Sequence, residues 1–255
     1  MSKEILMEKM TWKEIKSAIA NGKNTVIVMA GSIEQHGPHL PTGTDTIAGY
    51  VIAERLAKKL KNALVAPVIR PGVSKHHMGF PGTISISPQL FMKTIEEYCY
   101  CLADSGFKSI VVLASHGGNY SSIAKVVPKV SKKLSKKKVK VITLGDLNQM
   151  VKEQDETVKK FGVSPEIGGL HSGYTETSFM LAIKPKVVRM SKAEKGFVRP
   201  VSPKLAKKLL KYGLKRVTKN GVLGDPRNAN KKVGQELLKG VDYQAKEIKR
   251  LLYRT

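Results

Sequence analysis

The side chains best suited to chemistry fall in four short segments of this chain. All six histidines of the 255 residues lie in segments 31–45, 75–79, 115–119 and 170–178, and none follows His171. Segment 31–45 also carries Glu34 and Asp45. Neutral imidazole together with carboxylate is a ligand set that suits zinc, manganese or iron. The pattern therefore predicts a metal-assisted hydrolytic site.

Glu34, His36 and Asp45 form the richest of these groups. Glu34 and His36 alternate with Gln35, so in an extended stretch they face the same side. Asp45 follows at the start of a predicted helix, where its carboxylate could lie close to the side chains of Glu34 and His36. The alternative is a rigid loop in which Asp45 is only a helix N-cap. We favour metal ligation by all three residues.

Segment 115–119, Ser-His-Gly-Gly-Asn, follows a predicted strand. The neighbouring Ser115 and His116 invite a serine-hydrolase interpretation. However, adjacent residues point in opposite directions on an extended chain, and no Gly-x-Ser-x-Gly elbow is present. We interpret His116 as a further metal ligand. Gly117 and Gly118 would let a ligand approach the backbone closely, which places Ser115 and both glycines in a predicted substrate pocket.

His171 and Glu176 lie on either side of a predicted helix start. Glu176 could simply complement the helix dipole, or it could complete a metal site or act as a base. A shared carboxylate such as Asp45 would allow two metal ions to activate one water between them. His76 and His77 are ambiguous: one of them is predicted to line the substrate pocket, and a merely polar loop is the alternative.

The elements that must position these groups alternate along the chain. Apolar runs at 25–30, 64–69, 109–114 and 139–144 predict strands, and Pro67 suggests that the second is an edge strand or that a strand ends there. Helices are predicted at 11–21, 45–60, 87–103 and 121–134, then at 172–182, 203–219 and 231–253. This alternation indicates an α/β fold with a mainly parallel sheet flanked by helices. Ligands bind such sheets at the carboxyl ends of the strands, where the motifs at Gly31 and Ser115 begin. No linker separates the elements, so residues 1–255 are expected to form a single domain.

Composition narrows the function classes. The chain has 45 Lys and Arg against 20 Asp and Glu, a formal charge of +25, but only 6% aromatic residues. The lysines are spread along predicted helices as solvated faces, so nucleic-acid binding is not expected as the main function. An anionic small-molecule substrate or the host's own composition explains the charge. Cys99 and Cys101 are expected to be reduced thiols. With no signal peptide and no apolar run of membrane-spanning length, we predict a cytoplasmic protein without a membrane partner.

Several motifs together resemble one known family. Residues 31–45 (GSIEQHGPHLPTGTD) are similar to the signature of the creatininase, or creatinine amidohydrolase, family. Residues 80–85, 115–119 and 171–178 resemble its next three blocks in the same order, and 221–226 resembles its C-terminal block. The resemblance extends from about Trp12 to Leu252, and several long motifs in one order are highly specific.

The resemblance implies an α/β three-layer sandwich, usually assembled as a homo-oligomer and often as a hexamer. It also implies two divalent metal ions, with Asp45 as the bridging ligand and His171 transferring a proton to the leaving nitrogen. The implied ligands are Glu34, His36, Asp45, His116 and Glu176. Members hydrolyse non-peptide C–N bonds, either in creatinine or in a formylaminopyrimidine ribotide of riboflavin and deazaflavin synthesis. A further branch trims peptides in redox-cofactor maturation.

The chain departs from creatininase itself at two points. Gly118 stands where that enzyme carries a carboxylate, and the only tryptophan, Trp12, is far in sequence from every motif. Both differences weaken creatinine as the substrate, whereas the basic charge favours the phosphorylated ribotide. The substrate stays open between a creatinine-like cyclic amide or amidine and this formamide. Two other classes remain as alternatives: a non-catalytic metal-binding module and a basic nucleic-acid-binding protein.

Overall fold

A four-stranded parallel sheet lies at the centre of the computed structural model, which describes residues 4–200, 205, 209 and 211–253. In chain order the strands are β1 (Thr25–Ala30), β2 (Ala63–Val65), β3 (Ser109–Ala114) and β4 (Lys140–Ile142). Their spatial order is β2-β1-β3-β4. The central strands β1 and β3 are paired over their whole length, from Thr25 opposite Ser109 to Ala30 opposite Ala114. Their carboxyl ends are therefore side by side.

Helices follow each strand and cover the sheet. They are α1 (Trp12–Ala20), α2 (Thr44–Leu60), α3 (Pro88–Asp104), α4 (Tyr120–Leu134), α5 (Leu147–Lys159), α6 (Pro165–Gly168), α7 (Tyr174–Ile183) and α8 (Lys231–Tyr253). The start of α1 is set by a capping box, in which Thr11 and Glu14 satisfy each other's backbone N–H groups. Ser87 caps α3, and Pro88 occupies its first turn. No helix of the described residues is both long enough and apolar enough to cross a membrane.

The two faces of the sheet support separate halves of the core. Val26 and Val28 of β1 pack in a cluster with side chains of α3 and α4. Ile27 and Met29 point the other way, into a cluster with α2 and α8. This alternation is the two-residue period of a strand buried on both faces. The predicted parallel sheet between two helical layers is therefore confirmed.

Both edge strands are shorter than predicted, and one helix was not predicted. The second strand ends at Val65 rather than Ile69, because Pro67 has no N–H to continue a ladder. Ile69 nevertheless returns to form an isolated bridge with Ala30. The fourth strand covers Lys140–Ile142 rather than 139–144. The helix α5 that follows it was not predicted, although it forms one wall of the cavity described below.

The C-terminal third differs from the sequence prediction in one helix. Part of the predicted 203–219 helix, at 203–204, 206–208 and 210, lies outside the described residues. The described residues 205, 209, 211 and 212 are helical, but the α-helix ends at Tyr212, Gly213 has a φ of 86°, and only a short 3-10 helix, Leu214–Arg216, follows. This left-handed residue ends the helix, so the extension to Lys219 was wrong. The last helix, Lys231–Tyr253, matches its prediction.

Candidate metal centre

Carboxylate and imidazole groups meet where the two central strands end. Glu34 and His36 lie in the loop that leaves β1, and Asp45 lies in the first turn of α2. His116 follows β3 directly. Because β1 and β3 are parallel neighbours, both loops leave the sheet at the same edge. Glu176 joins them from the first turn of α7. The structure thus brings together all five residues for which metal ligation was predicted.

The five side chains form two groups that share Asp45. In the first, His116 Nδ1 is 3.4 Å from Glu34 Oε1 and 3.2 Å from Asp45 Oδ2. In the second, His36 Nε2 is 3.4 Å from Asp45 Oδ1 and 3.3 Å from Glu176 Oε1. The two oxygens of Asp45 therefore face different groups. Each group could hold a metal ion.

Hydrogen bonds outside the cluster set which ring nitrogen of each histidine faces it. The carbonyl of Glu34 can only accept, so His36 Nδ1 donates to it at 3.0 Å. His116 Nε2 likewise donates to the carbonyl of Val73 at 3.1 Å. His36 Nε2 and His116 Nδ1 are therefore free to present lone pairs to the cluster. Such an outer hydrogen bond is typical of histidines that bind metals.

Two buried atoms of the cluster lack any hydrogen-bond partner. Glu34 Oε2 and His36 Nε2 are both buried and unsatisfied among the described residues. An unpartnered buried polar atom is destabilising unless something satisfies it. A divalent cation would accept both lone pairs, and the oxygen and nitrogen donor set suits zinc, manganese or iron. The residues present therefore fit a metal centre.

The pKa values reflect this crowded burial. Burial raises the pKa of Glu34 to about 7, although His116 opposes the shift. Burial would lower the pKa of His116, but Glu34 and Asp45 outweigh it and raise that pKa to about 9. Burial likewise opposes the ionised form of Asp45, yet His36 and His116 hold its pKa well below the usual range. The protonation of each of these groups thus depends on that of its neighbours. A bound cation would take the place of the protons that they share.

His171 lies beside the cluster, and its orientation depends on a residue that sequence reasoning missed. His171 Nε2 donates to the backbone carbonyl of Gln35 at 2.7 Å, which leaves Nδ1 facing Glu34 Oε1 at 3.7 Å. The side-chain amide of Gln35 lies 3.0 Å from His77 Nδ1 and 3.1 Å from the Gly221 carbonyl. Burial, reinforced by His36, lowers the pKa of His171 to about 3, so the ring is neutral. Gln35 had been treated as the spacer between two ligands, and only its place within the motif could have drawn attention to it.

A cavity of about 450 Å³ opens onto the cluster. The five residues predicted for the substrate pocket all line it: His76, His77, Ser115, Gly117 and Gly118. The hydroxyl of Ser115 donates to the backbone carbonyl of Asp45 at 2.8 Å, a positioning contact rather than that of an activated nucleophile. His39 is buried, and its Nε2 lies 2.8 Å from Thr177 Oγ1 of α7. Helix α5 supplies a further wall that sequence analysis did not anticipate.

A parallel α/β sandwich that gathers carboxylates and imidazoles at its strand ends is the arrangement expected of a hydrolytic enzyme. The creatininase family model, described as creatinine amidohydrolase, matches residues 8–247. The chain therefore belongs to the creatininase family, and it is a hydrolase of that family.

Known proteins agree with this assignment in both sequence and fold. The mycofactocin precursor peptide peptidase of Mycolicibacterium smegmatis is 31% identical over 217 residues, which cover 83% of this chain and 78% of that protein. A solved creatinine amidohydrolase (creatininase) superposes with a TM-score of 0.80 at 25% identity, over 100% of both chains. A mutant creatininase described as of the Zn-Zn type has a TM-score of 0.80 at 24% identity, over 99% of this chain and 100% of that one.

Proposed function

We propose that this chain is a metal-dependent amidohydrolase that uses two divalent ions. The observation that carries the proposal is the sharing of Asp45, whose Oδ2 faces His116 and whose Oδ1 faces His36. One ion would be held by Glu34, Asp45 and His116, and the other by His36, Asp45 and Glu176. The Zn-Zn description of one solved creatininase supports two ions, and manganese or iron would suit the same donors.

Bound divalent ions supply Lewis acidity, which polarises a carbonyl oxygen and lowers the pKa of water. The protein's own part begins with His171, which is neutral and faces the cluster through Nδ1. We assign it the role of accepting a proton from the attacking water at Nδ1 and delivering it to the leaving nitrogen. The backbone carbonyl of Gln35 holds the other ring nitrogen and so keeps Nδ1 in place.

Glu176 has a divided role in this scheme. Its Oε2 accepts the backbone N–H of Ser172 at 2.6 Å, which anchors the carboxylate. Its Oε1 is the oxygen that faces His36. Glu176 is therefore proposed as a metal ligand that also adjoins the reacting atoms, and not merely as a group that complements the dipole of α7.

The bond cleaved is proposed to be a non-peptide C–N bond, in a cyclic amide, an amidine or a formamide. Creatinine and the formylaminopyrimidine ribotide are the two substrates that the family resemblance implies. The 31% identity to a peptide peptidase makes a short peptide the second candidate. A closed, non-catalytic metal module is disfavoured because a structural site is saturated by its protein ligands, whereas a cavity adjoins this cluster. Assembly as a homo-oligomer and a cytoplasmic location stay predictions.

The test begins with protein stripped of metal and reloaded separately with zinc, manganese or iron(II). Each form is assayed with creatinine, the ribotide, N-formyl amides and a short peptide, with released formate, creatine and new amino groups measured separately. We expect turnover that requires metal, and formate release would select the formamide class. Glu34→Gln and His116→Ala should lose both metal and turnover, whereas Asp104→Asn, an exposed control, should lose neither. Retention of metal and activity by both cluster variants would overturn the proposal.

A further inference from the structure

The cavity extends well beyond the cluster. From the carboxylates it continues between helix α5 and the layer formed by α2, α7 and α8. Its volume of about 450 Å³ falls within the range of small-molecule sites. A formamide or amide group at the cluster would leave most of this space for another part of the substrate.

The far part of the cavity, which we name the apolar arm, is lined mainly by apolar side chains. The arm is lined by Ile52, Leu144, Met150, Val151, Phe179 and Val241. These side chains come from α2, α5, α7, α8 and the residue stretch after β4. Five of them are only partly buried, so their apolar surface is available to a ligand. Removing such surface from water is favourable in proportion to the area covered.

The charges around the cavity contrast with those of the whole chain. Among the described residues that line it, none is a lysine or an arginine, despite the formal charge of +25. Outside the cluster formed by the three carboxylates and the histidines, the only acidic side chain among the described lining residues is Glu153 of α5. Tyr120 also lines the cavity, and burial raises its pKa to about 12, so its hydroxyl stays neutral. An anionic group in the arm would have no lysine or arginine partner among the described lining residues, and it would lie near the carboxyl group of Glu153.

Building on the proposed function, we propose that the substrate carries an uncharged, apolar alkyl or aryl group next to its scissile amide. This group binds in the apolar arm while the amide lies against the cluster. The arm thereby selects a class of substrate. A phosphorylated substrate is disfavoured by the same lining.

A homologous series of N-formyl alkylamines tests this proposal. Ethyl, butyl and hexyl members differ only in the length of the uncharged chain, and N-formyl-2-aminoethyl phosphate supplies the anionic comparison. Binding to the metal-free protein is measured by calorimetry, and formate release by the metal-loaded protein gives kcat/KM. We expect affinity and kcat/KM to rise by about fourfold for each methylene group buried, until the arm is filled. The phosphate compound should bind at least tenfold more weakly than the butyl one.

A substitution that fills part of the apolar arm tests whether the dependence on chain length arises there. Met150→Trp places a larger side chain in the cavity, whereas Lys152→Trp puts the same side chain on the solvent-facing side of α5, where Lys152 is 78% exposed. Met150→Trp should weaken binding of the hexyl compound at least tenfold and that of the ethyl compound by less than threefold. Lys152→Trp should change neither. Circular dichroism and unfolding temperature establish that both variants are folded.

The outcomes separate this inference from the proposed function. Chain-length-dependent binding without any formate release would support substrate binding in the apolar arm and contradict the proposed hydrolysis of formamides. Formate release with no dependence on chain length, or with preference for the phosphate compound, would contradict the binding of an uncharged group in the apolar arm. It would not contradict the proposed amidohydrolase activity. Equal binding of the hexyl compound by the Met150→Trp variant and the native protein would also overturn it.

Discussion

The two ends of the cavity hold their side chains in place by different means. At the cluster, Glu34 and Asp45 are 1% and 3% exposed, and the histidines are oriented by hydrogen bonds to backbone carbonyls. In the apolar arm most side chains are partly buried, and nonpolar contact alone positions them. Directional contacts leave one geometry, whereas dispersion contacts leave several. The cluster is thus built for chemistry, and the arm for selecting what reaches it.

The difference also has an electrostatic side. Glu34, Asp45 and Glu176 place three carboxylates within one buried group, and their ionisation depends on His36 and His116. Buried like charges repel strongly unless cations compensate them. The six apolar side chains that define the arm carry no charge, so no comparable repulsion arises among them. Changes at the cluster should therefore alter metal binding, turnover and stability together, whereas changes in the arm should alter selectivity and stability but leave metal binding unchanged.

Asp45→Asn should produce the largest effect, because Asp45 serves both groups. The Asn side chain has one carbonyl oxygen and one NH2 group in place of the two carboxylate oxygens of Asp45, so at least one metal position loses an oxygen ligand. We expect turnover to fall by about 1000-fold or more, in line with the loss of a metal-activated nucleophile. Elemental analysis of the purified variant should show that metal content falls in parallel. A variant with full metal content and near-native turnover would show that the cluster is not the reacting centre.

Removal of the metal should destabilise the whole protein. An ion present at 100 times its dissociation constant stabilises the folded state by about 2.7 kcal/mol. For a chain of this size, that corresponds to a shift of roughly 5–10 °C in the unfolding temperature. Calorimetric scans with a chelator and with added zinc or manganese measure the shift. The Asp45→Asn variant should show almost none, and an equal shift in that variant would place the stabilising ion elsewhere.

Glu34→Gln should stabilise the metal-free protein even though it disables the site. Burial raises the pKa of Glu34 from its ordinary 4.5 to about 7. Between these values the unfolded chain has released a proton that the folded chain retains, so this group lowers stability as pH rises through the interval. Removing it should increase the free energy of unfolding at pH 8 by about 1–3 kcal/mol, and by much less at pH 4.5. Denaturant titration at both pH values measures this, and an equal gain at both would contradict the assigned cause.

Gly221→Ala should separate proton transfer from metal binding. Gly221 has a φ of 80°, and a methyl group there would overlap the side-chain amide of Gln35. Displacing Gln35 would disturb His171 and His77 but none of the five proposed ligands. We expect turnover to fall about tenfold with metal content unchanged. Gly162→Ala is the matched control, since Gly162 has a φ of 74° and no neighbour within 4 Å of an added methyl group.

Phe179→Ala in the apolar arm should have the smallest effect on chemistry. The ring is only partly buried, lines the apolar arm and offers no group that could bind a metal ion. Metal content and turnover of the shortest formamide should stay within about twofold of the native values, while stability falls by about 1–2 kcal/mol. Parallel turnover and unfolding measurements would reveal any larger chemical effect, which would contradict the division between the two ends.

The sequence predicted the two central strands well, because their apolar residues match the burial that the centre of the sheet imposes. Strands β1 and β3 matched their apolar runs residue by residue, because an uninterrupted apolar run must be buried on both faces. Edge strands were less well predicted, since β2 and β4 have fewer partners to extend their ladders. Helix α5 was missed although Asp146 caps it with a hydrogen bond to the backbone N–H of Gln149. Its role as a cavity wall depends on what packs against it.

The sequence by itself determined which residues were available for chemistry and the edge of the sheet at which they would gather. Motif composition and the parallel α/β rule are sufficient for that, since both concern short stretches and their order. Only the tertiary structure decided that Asp45 faces two groups, that Gln35 orients His171 across 136 positions of sequence, and that α5 completes an apolar arm. These properties arise from contacts between distant segments, whose distances and orientations no local pattern specifies.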